Sequence, residues 1–351
     1  MKNLRDFTYE ELLEEVRGLG EKPYRAEQVY GWVYRKCATD IDSMTDVSKA
    51  LRERLKESYS VEGLKVLEVK SSFDGTRKFL SELSDGSRIE SVLIPEGDRL
   101  TLCVSSQAGC ALGCRFCMTG LSGFTRNLTL SELNGQVFAA RGLLNEGETI
   151  TNVVLMGMGE PLNNYDNVLR FVSILTDGRG FGFSHNKVTL STAGLVPGIR
   201  RLGAEANINL AVSLNATTDE VRDRVMPVNK KYPLEELMDA LRGYPHNGKK
   251  HVTIEYVMLA NVNDSIEDAK RLIKLLRGIP CKVNLIPFNP FPGARFQAPE
   301  NHMVSTFSKI LQDAGYFTIV RASKGSDIQA ACGQLKGRYG EEEGERDSAG
   351  G

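Results

Sequence analysis

The stretch SSQAGCALGCRFCMTGLSGF (105–124) places Cys110, Cys114 and Cys117 in a C-x3-C-x2-C run. Glycines surround the three cysteines and allow the backbone to fold tightly around whatever the sulfurs hold. A tetrahedral structural zinc or a fully ligated iron–sulfur cluster takes four protein ligands, so three closely spaced thiolates leave one metal position open. The run therefore predicts a metal centre with a position available for chemistry.

This spacing resembles the signature of the radical S-adenosylmethionine (SAM) superfamily, in which three cysteines hold a 4Fe-4S cluster and the fourth iron binds SAM. Phe116, just before the third cysteine, fits that superfamily's preference for an aromatic residue there. Zinc proteins also contain such runs, but this chain has only 7 cysteines in 351 residues. The alternatives are a zinc ion with Cys103 as its fourth ligand, or cysteines that bind no metal.

The composition is that of an ordinary soluble protein, since 351 residues with 41% hydrophobic content can bury a substantial core. No apolar run approaches the roughly 20 residues of a membrane-spanning helix, and the first residues, MKNLRDFTYEELLEE, lack the apolar core of a signal peptide. We therefore expect a cytoplasmic protein with no membrane partner. The 7 cysteines suit metal or redox chemistry in a reducing compartment. Because the net charge is −1, an RNA partner would have to meet local basic clusters.

Residues 1–58 are predicted to form a helical accessory domain, because apolar residues such as Leu12, Leu13 and Val16 recur three and four positions apart. Its segment KPYRAEQVYGWVYRK (22–36) mixes basic and aromatic residues, a combination that can bind phosphates and stack on bases. Equally, the aromatic residues can form the core of this domain, with the charges on its solvated face. RNA binding by this domain is therefore one of two readings.

Residues 59–99 are predicted to form a β-rich extension, an antiparallel meander with turns at Asp74-Gly75 and Asp85-Gly86. Glu90 lies in the strand RIESVLIP (88–95), just ahead of the cysteine stretch. A carboxylate in such a strand is more often a surface residue than a catalytic one.

Residues 100–320 alternate strand and helix patterns, which predicts a parallel sheet covered by helices. The candidate strands are 100–106, 150–156, 187–193, 208–215, 251–259 and 281–287, and the candidate helices lie near 130–144, 164–176, 196–204, 218–243, 264–277 and 300–314. Six such units fit an incomplete barrel as well as an open sheet. In both architectures ligands bind at the C-terminal ends of the strands.

Polar residues follow four of these strands, in the motifs GMGEP (157–161), STAG (191–194), SLN (213–215) and PFNP (287–290). A lone serine or asparagine at a strand end is usually a helix cap or a turn former. Four at successive strand ends, downstream of the cysteine loop, indicate one shared polar pocket. Within it Glu160 can accept a hydrogen bond from an ammonium group.

Residues 321–351 form a C-terminal segment that carries Cys332 among alanines and glycines. A lone cysteine in such a segment is more often inert than reactive, although its glycine neighbours suit a mobile segment that can bring a sulfur into a cleft. We expect the last dozen residues to be disordered. Cys37 and Cys281 are interpreted as buried packing residues.

Together the motifs LCVSSQAGCALGCRFCMTG, GMGEP, STAG, SLN, PFNP and SDIQAACGQL closely resemble the RlmN/Cfr family of radical SAM RNA adenine methyltransferases, and the likeness covers nearly the whole chain. It implies an α/β fold, an incomplete (βα)6 radical SAM barrel with the helical domain and the β-meander as additions. It also implies that Cys110, Cys114 and Cys117 ligate one 4Fe-4S cluster. The residues implied to contact SAM are Gly159, Glu160, Ser191, Ser213, Leu214, Asn215 and Asn289.

The resemblance also gives roles to three residues that spacing left ambiguous. Cys332 would become S-methylated by one SAM, and the reduced cluster would cleave a second SAM to a radical that activates this methyl group. A radical route is required because carbon 2 of adenine is not nucleophilic. The resulting carbon radical would add to the adenine ring. After an electron leaves, Glu90 would remove the ring proton, and Cys103 would attack the sulfur of Cys332, forming a transient disulfide as the methylated base departs.

The substrates implied by the resemblance are an adenosine in the peptidyl-transferase loop of 23S rRNA and the adenosine 3′ of the anticodon in some tRNAs. A low-potential electron donor such as flavodoxin or ferredoxin is also implied, and we expect a monomer. Candidate phosphate contacts near the pocket mouth are Arg126, Arg222, Arg224, Lys230 and Lys231, although a solvated helix face explains them equally well.

Two alternatives accompany this interpretation. The Cfr branch of the family methylates carbon 8 of the adenine in ribosomal RNA with the same cysteines and confers antibiotic resistance; we favour carbon 2 because that branch is the more widespread. The alternative from a different class is a zinc-stabilised RNA-binding protein without catalysis. It predicts a colourless protein with one zinc ion and no SAM cleavage, whereas the cluster predicts a brown protein with about four irons per chain.

Overall fold

The computed structural model describes residues 1–245 and 252–337. The first elements are β1 (Lys2–Asn3), α1 (Tyr9–Gly18), α2 (Tyr24–Tyr30), α3 (Lys49–Ser58) and β2 (Tyr59–Ser60), which pairs in parallel with β1. Thr8 and Glu11 form a capping box that starts α1, and Leu12 and Val16 bury one side of the helix. These helices occupy the region for which the sequence predicts a helical domain.

The basic and aromatic segment 22–36 is split between core and surface. It continues α2 as a π-helix over Gly31–Arg35, and the rings of Tyr30 and Tyr34 are fully buried. Tyr24 is half exposed, and the ammonium group of Lys36 lies 3.5 Å from the centroid of the Trp32 ring. The reading of this segment as core therefore holds for Tyr30 and Tyr34, while RNA binding by the surface residues stays a prediction.

An antiparallel meander follows the helices. Its strands are β3 (Lys65–Ser71), β4 (Arg77–Glu82), β5 (Arg88–Glu96) and β6 (Arg99–Cys103), paired in that order. Gly75 and Gly86 adopt positive φ angles of 84° and 80° in the two predicted turns, a conformation that glycine adopts without strain.

The rest of the described chain alternates strands and helices. Its strands are β7 (Gln107–Gly109), β8 (Phe124–Asn127), β9 (Asn152–Leu155), β10 (Val188–Thr192), β11 (Asn209–Ser213), β12 (Val252–Met258), β13 (Cys281–Pro287) and β14 (Thr318–Val320). Its helices are α4 (Met118–Leu121), α5 (Leu130–Arg141), α6 (Tyr165–Thr176), α7 (Val196–Glu205), α8 (Asp219–Val225), α9 (Leu234–Arg242), α10 (Ile266–Leu275) and α11 (Asn301–Asp313).

One sheet of ten strands joins the meander to the alternating region, in the order β14-β13-β12-β11-β10-β9-β6-β5-β4-β3. Strand β6 is the boundary, because it pairs antiparallel with β5 and parallel with β9. We call β3–β5 the antiparallel half and β9–β14 the parallel half. The division of the chain into four parts stays a prediction, and the predicted disorder at the C-terminus concerns residues beyond 337, outside the described part.

Besides the short strands β1, β2, β7 and β8, which the sequence does not predict, two details of the parallel half differ from the prediction. The helix predicted over 218–243 is two helices, α8 and α9, separated by a 3-10 turn at Pro227–Lys230. Pro227 and Pro233 interrupt the helix because proline has no N–H donor and its ring clashes with the preceding turn. Strand β14 was not predicted; it adds a further parallel strand beside β13.

Apolar residues of the parallel strands form the core beneath the strand ends, among them Leu102, Val153, Leu190, Leu210 and Ile254, all at most 1% exposed. Helices cover this half of the sheet, as expected for parallel strands. In the described ranges no helix is both long enough and apolar enough to cross a bilayer.

Candidate functional site

A cavity opens at the C-terminal ends of the parallel strands and encloses about 1010 Å³, its open mouth included. Ligands of parallel α/β sheets bind at this edge. The walls come from the cysteine loop, from the ends of the parallel strands and from the segment after β14. Nine of the predicted site residues line it: Cys110, Cys114, Cys117, Gly159, Glu160, Ser191, Ser213, Asn289 and Cys332.

The cysteine loop is held in shape by the small hairpin of β7 and β8. Gly109 has a φ of 79°, and a Cβ atom at this position would lie 2.1 Å from the carbonyl oxygen of Gly123, so only glycine fits here. The N–H of Cys110 donates to the same carbonyl at 2.7 Å, and the N–H of Cys117 donates to the carbonyl of Cys114 at 3.2 Å. The backbone thus turns all three cysteines around one end of the cavity.

The three thiols fit a cluster better than a single metal ion. Burial raises the pKa of Cys110 to about 12 and that of Cys114 well above its usual value, and the charge of Cys117 raises both further. Such thiols become thiolates only beside a cation. Among the described residues, no three cysteine, histidine or carboxylate side chains stand close enough to hold one metal ion. A four-iron cube, in contrast, binds each sulfur at a separate corner, so the donor set suits a 4Fe-4S cluster.

Glu160 presents a buried carboxylate to the same cavity. It is 3% exposed, and its oxygens accept hydrogen bonds from the N–H of Ala193 at 2.7 Å and of Leu162 at 3.1 Å. Burial raises the pKa of Glu160 to about 7, and these two hydrogen bonds act against the rise. Next to it, a Cβ atom on Gly159 would lie 2.5 Å from Cβ of Gln107. The site can therefore accept an ammonium group beside a closely approaching backbone.

The remaining predicted SAM contacts divide into two groups. Ser191, Ser213 and Asn289 line the cavity. Leu214 and Asn215 do not, because both are fully buried behind its wall. The side-chain oxygen of Asn215 accepts a hydrogen bond from the N–H of Val257 at 2.7 Å, so its amide fastens β11 to β12.

Cys332 lies across the cavity on the C-terminal segment. Its sulfur-bearing side chain is accessible, and the accessible face belongs to the cavity. The side-chain amide of Asn289 donates to the carbonyl of Cys332 at 3.3 Å, and the N–H of Met118 donates to the carbonyl of Gly333 at 2.7 Å. The surrounding protein, and then the charge of Glu255, raise the pKa of Cys332 to about 11.

Cys103, at the end of β6, is buried and lies behind the cavity wall. Burial raises its pKa to about 12, and the charge of Cys332 acts in the same direction, so the two thiols interact electrostatically. All seven cysteines are free thiols.

Glu90 is sealed away from the cavity. One carboxylate oxygen lies 2.8 Å from the ammonium nitrogen of Lys78, and both side chains are at most 2% exposed. The other oxygen accepts hydrogen bonds from the N–H of Lys336 at 2.7 Å and of Gly337 at 3.1 Å. In this conformation the carboxylate is therefore held by the C-terminal segment and does not face the space beside Cys332.

Sequence reasoning missed two charged residues here, Glu255 and Lys78. Glu255 lines the cavity, accepts a hydrogen bond from Asn284 at 2.9 Å, and has its pKa raised by burial. Its signal was available, because it is the one charged residue in the strand VTIEYVM. Lys78 pairs with Glu90 and also donates to the carbonyl of Gln329 at 2.9 Å, 251 residues away, which no local pattern reveals.

Two of the suggested phosphate contacts are committed elsewhere. Arg222 is fully buried, and its guanidinium donates to the carbonyls of Leu214 at 3.0 Å and Ala193 at 2.7 Å. The prediction that Arg222 meets phosphates is wrong, because RNA cannot reach it. Arg126 is occupied by ion pairs with Asp85 and Glu132 at 2.6 and 2.7 Å.

Comparison with known proteins gives consistent matches. The family model of the ribosomal RNA large subunit methyltransferase N-terminal domain matches residues 2–61, and that of the radical SAM superfamily matches residues 104–275. A protein of Geotalea uraniireducens named dual-specificity RNA methyltransferase RlmN is 51% identical over 336 residues, covering 96% of this chain and 97% of the relative. A protein of the same name from Desulfosudis oleivorans is 54% identical over 89% of this chain and 85% of its own length.

A solved structure agrees with these relatives. The crystal structure of a radical SAM methyltransferase from Sphaerobacter thermophilus superimposes with a TM-score of 0.91 at 45% identity, covering 96% of this chain and 100% of that one. The predicted radical SAM barrel with its N-terminal helical region is thereby confirmed.

Proposed function

Because this chain belongs to the RlmN family of radical SAM RNA methyltransferases, we propose that it methylates carbon 2 of adenosine in 23S rRNA and in tRNA. It is a SAM-dependent RNA methyltransferase of the radical SAM class. The observation that carries the proposal is that Cys332 and the three cysteines of the loop line one cavity. The carbon 8 alternative is not favoured, since the matched relatives bear the RlmN name.

Membership of the radical SAM superfamily brings a 4Fe-4S cluster and SAM. We propose one cluster per chain, held by Cys110, Cys114 and Cys117, and two SAM molecules consumed per methylation. When bound, the cluster with SAM supplies the 5′-deoxyadenosyl radical. Glu160 would accept the ammonium group of SAM, with Gly159, Ser191, Ser213 and Asn289 around the rest of it, while Leu214 and Asn215 would support the wall behind.

Cys332 is the proposed methyl carrier. Its sulfur must first lose its proton and take the methyl group of a SAM molecule, a step for which the sulfur and the SAM-binding strand ends share one cavity. Asn289 and Met118 hold the backbone around Cys332 at the cavity wall. These backbone bonds would orient the S-methyl group at the cavity wall.

Glu90 and Cys103 are proposed to finish the reaction. Glu90 would accept the ring proton, which requires residues 336–337 to leave its carboxylate first, because their N–H groups occupy it at rest. Cys103 would then attack the sulfur of Cys332. The new S–S bond replaces the bond between that sulfur and the methylene carbon on the adenine, and this carbon takes the proton lost by Cys103 and leaves as the methyl group of the base. With its pKa raised to about 12, Cys103 is protonated and inert at neutral pH until that step.

The RNA substrate follows from the family, and the finer partners are part of the proposal. We propose that the adenosines are those of the peptidyl-transferase loop and of the position 3′ of the anticodon, that flavodoxin or ferredoxin supplies electrons, and that the enzyme is a cytoplasmic monomer. The target base would have to be splayed out of its RNA to reach Cys332.

The experiment is product analysis in a strain that lacks the gene. RNA from this strain, with and without the wild-type gene, is digested and its nucleosides are separated by chromatography and mass spectrometry. We expect 2-methyladenosine in both 23S rRNA and tRNA; finding only the 8-methyl product would contradict the proposal.

Two variants test the route. Cys332→Ala should abolish methylation while the protein keeps its iron, and Cys103→Ala should accumulate protein covalently attached to RNA. Normal turnover by both variants would exclude the S-methylcysteine mechanism.

A further inference from the structure

A second cavity, of about 930 Å³ with its open mouth included, lies on the outer side of the cysteine loop. Three arginines and one aromatic ring line it: Arg115, Arg224, Arg295 and Phe296. The three arginine side chains are exposed, and the ring is half-buried. This is a concave site with three positive charges and an apolar wall.

The same segments build this cavity and the first one. Cys114 and Cys117 face the first cavity, while Arg115 between them faces the second. The backbone N–H of Arg115 donates to the carbonyl of Val225 at 3.0 Å. This bond joins the cysteine loop to the end of α8, where Arg224 lies. The two cavities are therefore opposite sides of one wall.

A ring contact joins the third segment to both cavities. Phe288 lines the first cavity and Phe296 the second, and their ring centroids are 6.4 Å apart. The residue after Phe288 is Asn289, which holds the backbone of Cys332. A molecule in the second cavity would thus be one ring contact away from the wall of the first cavity, next to the residue that holds Cys332.

Nothing in the described chain neutralises the three arginines. Across residues 1–245 and 252–337, none of their guanidinium groups makes an ion pair or a side-chain hydrogen bond. Arg222 and Arg126, nearby in the sequence, are fully engaged by carbonyls or carboxylates. Since the three positive charges that converge on one pocket repel one another, an anion bound there would stabilise them.

Resting on the proposed function, we propose that this pocket binds a phosphate of the RNA substrate next to the nucleotide that enters the first cavity. Arginine is suited to this because its planar guanidinium donates two parallel hydrogen bonds to phosphate oxygens. Phe296 gives the adjoining sugar or base an aromatic surface. Phosphate contacts position a nucleic acid without reading its sequence, which suits an enzyme that acts on two kinds of RNA.

An acidic electron-transfer protein is the rival occupant, because it too would approach near the cluster. The concave shape and the aromatic wall favour RNA, whose phosphates enter a pocket, over carboxylates on the convex surface of a protein. The two occupants predict different defects, which the experiment separates.

The test measures binding of a tRNA transcript to the cluster-loaded enzyme over a range of salt concentrations, about 50 to about 200 mM KCl. The variants are Arg115→Gln, Arg224→Gln, Arg295→Gln and the double variant Arg224→Gln/Arg295→Gln. The double variant leaves the sequence of the cysteine loop unchanged. We expect each substitution to weaken binding about threefold to tenfold at fixed salt. The slope of log Kd against log salt should fall by about one for each lost phosphate contact.

Arg200→Gln is the matched control, because Arg200 is an exposed arginine of α7 that lies outside the pocket and also has no partner in the described chain. It should bind tRNA as the wild type does, and every variant should keep its iron and its RNA-independent cleavage of SAM.

An unchanged salt slope in the Arg224→Gln/Arg295→Gln variant, or an equal loss in Arg200→Gln, would overturn the assignment. So would variants that methylate slowly with flavodoxin but normally with dithionite, since that pattern places the electron donor in the pocket. A wild-type enzyme that methylates neither RNA would contradict the proposed function itself.

Discussion

The parallel and antiparallel halves of the sheet bury ionisable groups in opposite ways. At the parallel end, Glu160 and the thiols of Cys110 and Cys114 line the cavity without an ion-pair partner in residues 1–245 and 252–337, and burial raises the pKa of each. In the antiparallel half, Lys78 and Glu90 are as deeply buried but lie 2.8 Å apart. A buried ionisable group without an ion-pair partner in a cavity indicates a candidate ligand site, whereas a buried ion pair is a contact that is costly to break.

In this protein the paired charges hold the segment that carries Cys332. Lys78 donates to the carbonyl of Gln329, three residues before Cys332, and Glu90 accepts from the N–H of Lys336, four residues after it. The Lys78–Glu90 ion pair is therefore bonded to the segment on both sides of Cys332. We call the Lys78–Glu90 pair the clamp. Substitutions in the antiparallel half test the clamp, and substitutions in the parallel half test ligand binding.

The largest effect is expected from Lys78→Met. The substitution leaves the Glu90 carboxylate buried without its counter-charge, so the free energy of unfolding should fall by about 3–5 kcal/mol. Urea unfolding measures this loss. S-methylation of Cys332, measured by mass spectrometry of the purified protein, should fall as well, because the segment loses the bond at Gln329.

The double variant Lys78→Met/Glu90→Gln should regain most of that stability, since the amide is neutral and still accepts N–H bonds. Lys65→Met is the control: Lys65 pairs with Glu82 in the same half but is 71% exposed, and it should cost less than about 1 kcal/mol. If Lys78→Met and Lys65→Met lost the same unfolding free energy, the buried Lys78–Glu90 pair would not act as a clamp.

A smaller effect is expected from Glu160→Gln at the parallel end. The loss of a charged hydrogen-bond acceptor should raise the Kd for SAM about tenfold to a hundredfold, measured by anaerobic equilibrium dialysis of the cluster-loaded enzyme. The amide oxygen can still accept the bond from Ala193, but the amide NH2 then faces the N–H of Leu162, so urea unfolding should show a loss of about 1–3 kcal/mol.

This carboxylate also gives the binding site a pH dependence. A carboxyl group whose pKa is raised to about 7 loses its charge as the pH falls through that value. Wild-type affinity for SAM should therefore fall about tenfold from about pH 8 to about pH 6, and the Glu160→Gln variant should show no such fall. The same pH dependence in both proteins would mean that another group binds the ammonium.

The smallest effect is expected from Asp74→Asn, in the turn between β3 and β4. Asp74 accepts hydrogen bonds from the N–H of Gly325 and of Thr76, each at 2.9 Å. Burial alone would raise the pKa of Asp74, but these bonds lower it to about 2. Because the carboxylate is partly exposed, the variant should lose less than about 1 kcal/mol. Hydrogen exchange at the Gly325 amide should nevertheless become faster.

The sign of the pH effect follows from the lowered pKa. The contribution of Asp74 is present above its usual pKa, near 4, and is lost as the pH falls through about 2. The difference in the free energy of unfolding between wild type and variant should therefore become smaller between about pH 4 and about pH 2 and stay constant above that interval. If this difference grew on acidification, a titrating group other than Asp74 would be responsible for it.

The strands and helices of the parallel half could be predicted from the sequence, because each of them has its own local pattern of residues. The six predicted strand–helix units are present. The predicted residues Gly159, Glu160, Ser191, Ser213 and Asn289 reach the cavity, since parallel strands deliver their ends to one edge. The break between α8 and α9 was also local, and Pro227 and Pro233 mark it.

In the antiparallel half, the sequence predicted the strands but not the partners of their buried side chains. That Glu90 meets Lys336, 246 residues away, depends on where the chain end returns, and spacing carries no information about that. Burial was equally hidden: Arg222 has the same surroundings in the sequence as the exposed Arg224, yet it lies on the inner side of α8 and is fully buried. Side-chain direction on a short helix decides between the two, and its pattern of seven residues is too brief to fix it.

The bonds between α4 and the chain end have a consequence for proteolysis. Directly after Cys117, the N–H of Met118 donates to Gly333 and the hydroxyl of Thr119 donates to the carbonyl of Leu335. Order in the cysteine loop and order in residues 333–335 are therefore linked through these two bonds. Loss of either bond should open this segment to proteases, so resistance to trimming reports whether the loop and the segment are joined.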